Sequence, residues 1–493
     1  MKARFNELLK HKYSLPMLSA IGAGLYPILY NYDSNLTLIN SWSQFFYLIF
    51  CFLIIPLILF YLVYKLTNTS KRLINYNKQI LAILNISTFF ILLLISTNSF
   101  SKKKFLLLIV IACILGLFLF KYLRKIIAFQ FIIAVVAIVW VIPRIIESQS
   151  YSFNWAKQPD AIENVKFKKR PNVYIIQPDG YVSFNEMKNE LYDYDNSKFE
   201  TFLEDNNFKV YNNFRSNYYT TLSSNTSMFT MKHHYYNNPK PNFNELYNAR
   251  EIMAGSNPVV SIFKQNNYKT SLIVESPYLL VNRPKLNYNY CNINYSEIPF
   301  LSKGFEFYKN VNEDLEAAII KNSKSDNFYF IEKLSPGHIS TLEKDSKGKE
   351  EERKIYLKRV EEANKWLKSM IGIINNYDNN ALIVIVSDHG GFVGFDYTRQ
   401  SKTKQTDRDL LYSVFSVNLA IKWPDNIAPE FDDKLTTSVN LFRVLFSYLS
   451  NDNKYLNHLQ DDKSFIIINN ESPFGVYEMI NEKGEIVFFE YAN

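Results

Sequence analysis

The chain has 493 residues, more than one hydrophobic core normally organises, so two domains are expected. Its 39 Phe and 35 Tyr bring the aromatic share to 16%, which excludes a disordered chain. The net charge of +8 divides unevenly: residues 1–150 hold 15 Lys/Arg against Glu7, Asp33 and Glu147, the rest 40 against 44 acids, so the basic excess marks loops at one end and excludes a nucleic-acid footprint.

From the N-terminus, five apolar stretches have the length that a hydrocarbon core of ~30 Å requires, about 20 residues each. They run over roughly 13–31, 44–64, 79–97, 105–120 and 126–146. The first is diluted by Pro16, Pro27, glycines and serines, and more spans follow it, so it is read as a span and not as a removable signal. Lys and Arg stay on the cytoplasmic side. With the N-terminus inside, segments 1–12, 65–78 and 121–125 carry eleven of them, and the outer loops only Lys102, Lys103 and Lys104. An odd number of spans then leaves everything after Arg144 outside. The expected architecture is an α-helical transmembrane domain (1–146), a polar linker (147–170) and an extracytoplasmic catalytic domain (171–493) of an enzyme in the cytoplasmic (inner) membrane. Cys51 and Cys113 fall in spans and Cys291 stands alone in the soluble part, so no disulfide forms within that part.

Beyond the linker, short apolar runs alternate with amphipathic stretches. Strands are expected at Asn172–Gln177, Thr270–Glu275, Phe328–Glu332, Ala381–Ser387 and Val417–Lys422. A helix at Glu350–Ile374 carries Tyr356, Val360, Ala363, Trp366, Leu367 and Met370 on one face. Such alternation means an α/β domain with a largely parallel central sheet. Gly475–Tyr491 reads as a small C-terminal β-hairpin turning at Glu482-Lys483-Gly484.

Three segments carry chemistry. In NVYIIQPDGY, Asp179 follows directly on a strand, where an Asp-Gly pair otherwise forms a turn. In ALIVIVSDHGG, a strand delivers Asp388 and His389 side by side, two common ligand types for a divalent cation. Gly390 and Gly391 would let the backbone turn sharply there. In RSNYYTTLSSNTSMFTMKHHYY (215–236), a helix can start near Leu222, with Thr220 or Thr221 at its end. A Thr there is an N-cap, or, because a helix N-terminus favours an anion, an ionisable nucleophile. His233 and His234 are read as adjacent on that helix and pointing to different sides.

The series PNVYIIQPDGY, SNYYTTLSSNTSMFTM, SPGH and IVIVSDHGG resembles the alkaline-phosphatase/sulfatase superfamily, in the membrane-bound branch of lipoteichoic acid synthase and the phosphoethanolamine transferases. That resemblance spans roughly 170–460. It implies Asp179, Thr221, Asp388 and His389 as ligands of one divalent metal ion (Zn, Mn or Mg), Thr221 as nucleophile, and His338 as a catalytic, substrate-contacting histidine. Asn217 and Arg399 are candidate substrate contacts, as are Arg283 and Arg408 for phosphate. Thr221 is preferred to Thr220 because the sulfatase frame C-x-P-S-R-x-S-L-L-T, begun at Thr221, places Ser224, Ser227 and Thr230 at its fourth, seventh and tenth positions. Ser223 and Asn225 stand where that frame has Pro and Arg, and no Cys or Ser occupies the nucleophile position, so the formylglycine chemistry of a sulfatase has no starting residue. A second metal would need an Asp four residues before His338, where Leu334 stands; His458 is read as a surface helix end.

The implied activity is a phosphotransferase that moves phosphoglycerol, phosphoethanolamine or a similar head group through a covalent Thr intermediate. The donor would be a membrane phospholipid and the acceptor a surface glycan or lipid. A membrane-anchored phosphodiesterase or sulfatase-like hydrolase is the alternative, and a non-catalytic surface-glycan binding protein a third reading.

Overall fold

A computed structural model describes residues 14–97, 102–149, 152–237 and 245–491. The cations of segment 1–12, Tyr13 at the start of the first expected span, and linker residue Tyr151 lie outside the described residues. The chain divides into two compact units, one of Met1–Tyr151 with Val281–Arg283 and Pro299–Ser302, the other of Ser152–Leu280, Pro284–Ile298 and Lys303–Asn493.

The first unit is helical: α1 (Ser14–Ser34), α2 (Trp42–Thr69), α3 (Asn77–Ser96), α4 (Lys102–Leu119) and α5 (Leu123–Gln149). Three continuous helical stretches are long and apolar enough to cross a membrane: Trp42–Thr69, Ile74–Ser96 and Lys102–Glu147, of 28, 23 and 46 residues. The 46-residue stretch is broken by a 3₁₀ turn at Phe120–Tyr122. Its first half, α4, packs on α3, and its second, α5, packs on α1. The glycines that dilute the apolar character of α1 serve close packing: a Cβ on Gly24 would fall 1.9 Å from the Phe52 carbonyl oxygen of α2. Between α3 and α5 the buried amides of Asn85 and Gln130 bond to each other at 3.0 Å, so neither is left unpaired among apolar side chains.

The second unit is built on a seven-stranded sheet of β1 (Val173–Pro178), β2 (Phe208–Val210), β3 (Lys269–Val274), β4 (Tyr290–Cys291), β5 (Asn327–Lys333), β6 (Leu382–Val386) and β7 (Leu419–Lys422). The spatial order is β2-β7-β6-β1-β5-β3-β4. Strands β6, β1, β5, β3 and β4 pair in parallel, and β7 runs antiparallel to both β6 and β2. Strands β1 and β6 are buried along their whole length, which explains their unbroken apolar runs. The long helix extends over Lys349–Tyr377 and buries Tyr356, Val360, Ala363, Trp366, Leu367 and Met370 against the sheet core. The C-terminal hairpin, β9 (Gly475–Ile480) and β10 (Ile486–Glu490), is completed by β8 (Ser464–Ile468) into a three-stranded antiparallel sheet. Strands β2 and β4, of 3 and 2 residues, are too short to leave a pattern in sequence.

Candidate active site

Strands β1 and β6 are neighbours, so the residues that follow them meet across 208 positions of sequence. Asp179, Asp388 and His389 are buried, and each offers one ligand atom within 4.8 Å of the others. The Asp179 backbone N–H donates to Lys333 O (3.0 Å) and its carbonyl accepts from Gly337 N–H (2.8 Å), which ties the loop after β1 to the loop after β5. The Gly180 N–H donates to Asp388 Oδ1 at 3.1 Å. Gly180 has φ +69, and a Cβ there would lie 2.2 Å from the Gly337 carbonyl oxygen, so only glycine fits.

The backbone bends at Asp388 and His389, just before Gly390 and Gly391. Neither glycine has a positive φ. A Cβ on Gly390 would fall 2.3 Å from Ser413 O, and one on Gly391 2.4 Å from two ring carbons of Tyr356. Clearance, not backbone conformation, demands both.

The segment 215–236 folds as a helix α6 over Thr221–Thr230, with Thr220 as its N-cap. The Thr220 hydroxyl accepts from Ser223 N–H at 3.4 Å. Thr221, one residue on, points the other way: its Oγ1 is 3.3 Å from Asp179 Oδ1 and 3.4 Å from His389 Nε2. The helix is held to the sheet by Asn225, whose amide exchanges two hydrogen bonds with Gln177 of β1 at 2.6 and 2.7 Å. Ser224 donates to Tyr218 O (2.6 Å), while Ser227 and Thr230 bond back to Ser224 O and Thr226 O within the helix.

His389 Nδ1 lies 2.9 Å from Gly390 O. Its N–H donates to that carbonyl, which leaves Nε2 as the nitrogen available to a ligand. Burial opposes a charge on His389, but Asp388 and then Asp179 outweigh it and raise the imidazole to about 9. Burial raises Asp388; at Asp179 burial is outweighed by the hydrogen bond and charge of His389, which lower it. Asp388 Oδ2 accepts no hydrogen bond. Asp179 Oδ1 and Asp388 Oδ2 lie 3.3 and 3.4 Å from His389 Nε2, and two carboxylates and an imidazole gathered this closely in a buried site fit a divalent cation at their centre.

His338 Nδ1 lies 2.6 Å from Ile339 O, and its ring centroid 5.8 Å from that of His389. Burial, then the charge of His389, lowers its pKa, so it stays neutral with Nε2 as an acceptor. A cavity of about 190 Å³ is lined by Thr221, His338, His389, Arg399, Tyr278 and Lys402, among others.

Asn217 is not at this cavity. It is fully buried, its Oδ1 accepting from Val439 N–H (2.8 Å) and the Ser438 hydroxyl (3.0 Å), and its amide donating to Lys463 O (2.8 Å). Arg408 makes a two-pronged ion pair with Glu186 and lines another cavity. Arg283 groups with the helical unit and stacks over Phe300 at 3.9 Å. His233 and His234 follow the end of α6 instead of continuing it. Their Nε2 atoms bond to Asp461 O (2.8 Å) and Ser223 O (3.0 Å), and His234 stacks on Tyr218 at 3.9 Å. His458 ends a 3₁₀ helix, Asn453–His458.

Two residues escaped the sequence reading. Lys402, in a stretch that reads as solvated, is 8% exposed in the cavity wall, and burial followed by Arg399 lowers its ammonium to about 8. Glu332, at the end of β5, is buried with neither carboxylate oxygen hydrogen-bonded. Burial, then the charges of Asp179 and Asp388, raises its pKa well above the usual carboxylate range. In sequence it is one acid at a strand end.

Against family models, residues 182–450 match the sulfatase family, beginning just after Asp179. The chain belongs to the sulfatase family. Among solved structures, it is similar to the periplasmic domain of EcEptC from Escherichia coli (14% identity, 64% of this chain and 95% of that one, TM-score 0.42). It is also similar to the integral membrane lipooligosaccharide phosphoethanolamine transferase A from Neisseria meningitidis (10% identity, 89% and 95% covered, TM-score 0.40). A Bacteroides thetaiotaomicron sulfatase from a locus for glycosaminoglycan metabolism is similar over 65% of this chain and 84% of that one (12% identity, TM-score 0.41). At such identities and TM-scores none of these likenesses bears on substrate. No curated protein matches the sequence. Membership of the family makes the chain an enzyme of the metal-dependent sulfatase superfamily, and its described residues include a buried acidic and histidine cluster.

Proposed function

We propose that the chain is a multi-pass membrane enzyme, with five spans and an extracytoplasmic catalytic domain, that transfers a phosphoryl-linked head group through Thr221. The observation that carries the reading is the Thr221 hydroxyl, within 3.3 and 3.4 Å of Asp179 and His389 at the first turn of α6. The break at Phe120–Tyr122, which divides the 46-residue stretch into halves packed on different helices, supports four spans, and the 21-residue α1 would be the fifth. A threonine in the proposed nucleophile position gives formylglycine no precursor, which favours phosphoryl transfer over sulfate-ester hydrolysis by that chemistry.

Asp179, Thr221, Asp388 and His389 would hold one divalent ion, which supplies charge neutralisation at the transferred phosphoryl group and a lowered hydroxyl pKa. The free N–H groups at the start of α6 favour the ionised Thr221 Oγ. That oxygen bonds to phosphorus as the bond from phosphorus to the diglyceride oxygen breaks. His338 Nε2 takes the Thr221 proton and supplies it to the leaving oxygen. In the second half an acceptor hydroxyl gives its proton to His338 and bonds to phosphorus as the bond from phosphorus to Thr221 Oγ1 breaks, and His338 returns the proton to that oxygen. Arg399 and Lys402 in the cavity wall would hold the non-bridging oxygens. A phospholipid donor and a surface glycan or lipid acceptor suit a domain tethered at the bilayer, where head groups reach a high effective concentration.

The test is a mass spectrum of the purified protein after exposure to phosphatidylglycerol or phosphatidylethanolamine vesicles. A phosphoglycerol or phosphoethanolamine adduct on the peptide containing Thr221 is expected. Lipid turnover without any adduct there would overturn the covalent route.

A further inference from the structure

The start of α2 carries a group of aromatic side chains: Trp42 and Phe46 are exposed, and Phe45 packs edge-on against both. Aromatic rings collect where a span passes from hydrocarbon to head groups, so this end of α2 marks an interface. Two short segments from later in the chain belong to the same unit. Gln44, fully buried, donates to Val281 O at 2.9 Å and to Phe300 O at 3.0 Å, and Tyr47 stacks on Phe300 at 4.4 Å. Phe300 is thereby held at the level of the aromatic group.

The chain leaves the helical unit at Ser302, and the loop that follows, 303–309, turns rings to the solvent: Phe305 is 50% and Tyr308 62% exposed. Chain length alone keeps them within ~11 and ~22 Å of Ser302. The loop is held in shape. The Glu306 carboxylate accepts from Lys303 N–H (2.6 Å) and Gly304 N–H (3.2 Å), and Lys309 N–H donates to Glu275 O (2.7 Å) just past β3. Its charges nearly cancel, since Lys303 has Glu306 close by and Lys309 is ion-paired with Glu297. What it offers a partner is therefore apolar ring surface that gains by leaving water. On its other side Phe305 stacks on Tyr278 at 5.4 Å, and Tyr278 lines the cavity that holds Thr221. We propose that loop 303–309 dips Phe305 and Tyr308 into the head-group layer of the outer leaflet, and that the Phe305–Tyr278 pair is the lip over which a phospholipid head group enters the catalytic cavity. The occupant is a lipid surface because the loop continues a segment already held at the interface end of a span. The inference rests on the proposed topology and lipid donor.

Full-length protein with p-benzoylphenylalanine in place of Tyr308, or of Ile427 as a control, would be reconstituted in vesicles of phosphatidylglycerol and phosphatidylethanolamine and irradiated. Ile427 is 68% exposed and follows the antiparallel β7, at the edge of the sheet opposite the metal cluster. A phospholipid adduct is expected at 308 and not at 427. In the double variant Phe305→Ser with Tyr308→Ser, turnover of vesicle lipid relative to soluble bis(p-nitrophenyl) phosphate should fall about tenfold. No adduct at 308, equal adducts at both positions, or an unchanged ratio in a folded double variant would overturn the proposal. Failure of the parent protein to turn over lipid would instead count against the phosphotransfer reading, and the adduct at 308 would still decide the surface.

Discussion

A methyl group added to Gly391 would fall 2.4 Å from Cε2 and Cζ of Tyr356 and 2.9 Å from its hydroxyl. Carbon atoms in contact sit at about 3.5–4.0 Å, so the overlap exceeds ~1 Å and something must move. The tyrosine is poorly placed to yield. It is fully buried on the long helix Lys349–Tyr377, its hydroxyl donating to Gly180 O at 2.9 Å and accepting from Val182 N–H at 3.2 Å. A displaced ring therefore loosens the loop that carries Asp179, and a displaced backbone shifts His389 two residues upstream. Overpacking of this kind costs about 1–3 kcal/mol, roughly 2–6 °C of melting temperature for a domain of this size. Metal affinity should fall by about 10- to 100-fold, as when the support of a ligand is disturbed. Thermal unfolding and elemental analysis of Gly391→Ala measure both effects. Tyr356→Leu in the same chain makes room, so the double variant should lose less than the two single losses added. A Gly391→Ala protein that melts and binds metal like the parent, or a double variant whose losses simply add, would refute the clearance argument.

The two threonines should separate cleanly. Thr221→Ala is expected to lower hydrolysis of bis(p-nitrophenyl) phosphate by roughly 10⁴ to 10⁶, whereas Thr221→Ser keeps measurable activity. Thr220→Ala should cost about 1 kcal/mol through the lost cap and leave turnover in place, and the reverse pattern would mean the wrong threonine carries the chemistry. Asp388→Ala or His389→Ala should strip the bound cation, each removing one of the few protein ligands; unchanged metal content would refute the site. Burial lowers His233 to about 4 and His234 to about 3, so both are neutral in the folded state. Their contribution to stability is complete above the unfolded value of about 6.5 and is lost as pH falls toward 4, on the order of 3 kcal/mol for His233. His233→Gln should flatten the fall of melting temperature across that window, and an unaltered slope would show that other groups set acid sensitivity.

Much of the frame was legible because it is written in local patterns. Apolar runs of membrane length, strands ending in Asp179 and in Asp388-His389, and the buried face of Lys349–Tyr377 all follow from spacing along one segment. The antiparallel direction of β7 and the existence of β2 and β4 were not legible, since pairing direction and two- or three-residue strands leave no periodicity. The clearance that Gly390 and Gly391 provide was not legible either, because a missing Cβ looks the same in sequence whether it frees a turn or clears a tyrosine.

For the candidate site the division is sharper. Sequence by itself determined which side chains could bind a metal or attack phosphorus, because that chemistry belongs to residue type and to the strand or helix end that presents it. Tertiary structure alone decided which of them meet. Placing β1 beside β6 brings Asp179 to Asp388 and His389, and capping by Thr220 turns Thr221 toward them, whereas Asn217 is enclosed by Ser438, Val439 and Lys463. Tertiary structure likewise buried Lys402 in the cavity wall and set Glu332 near two carboxylates. Burial and the distance between charges are properties of the packed chain, summed over segments hundreds of residues apart, and no local pattern contains them.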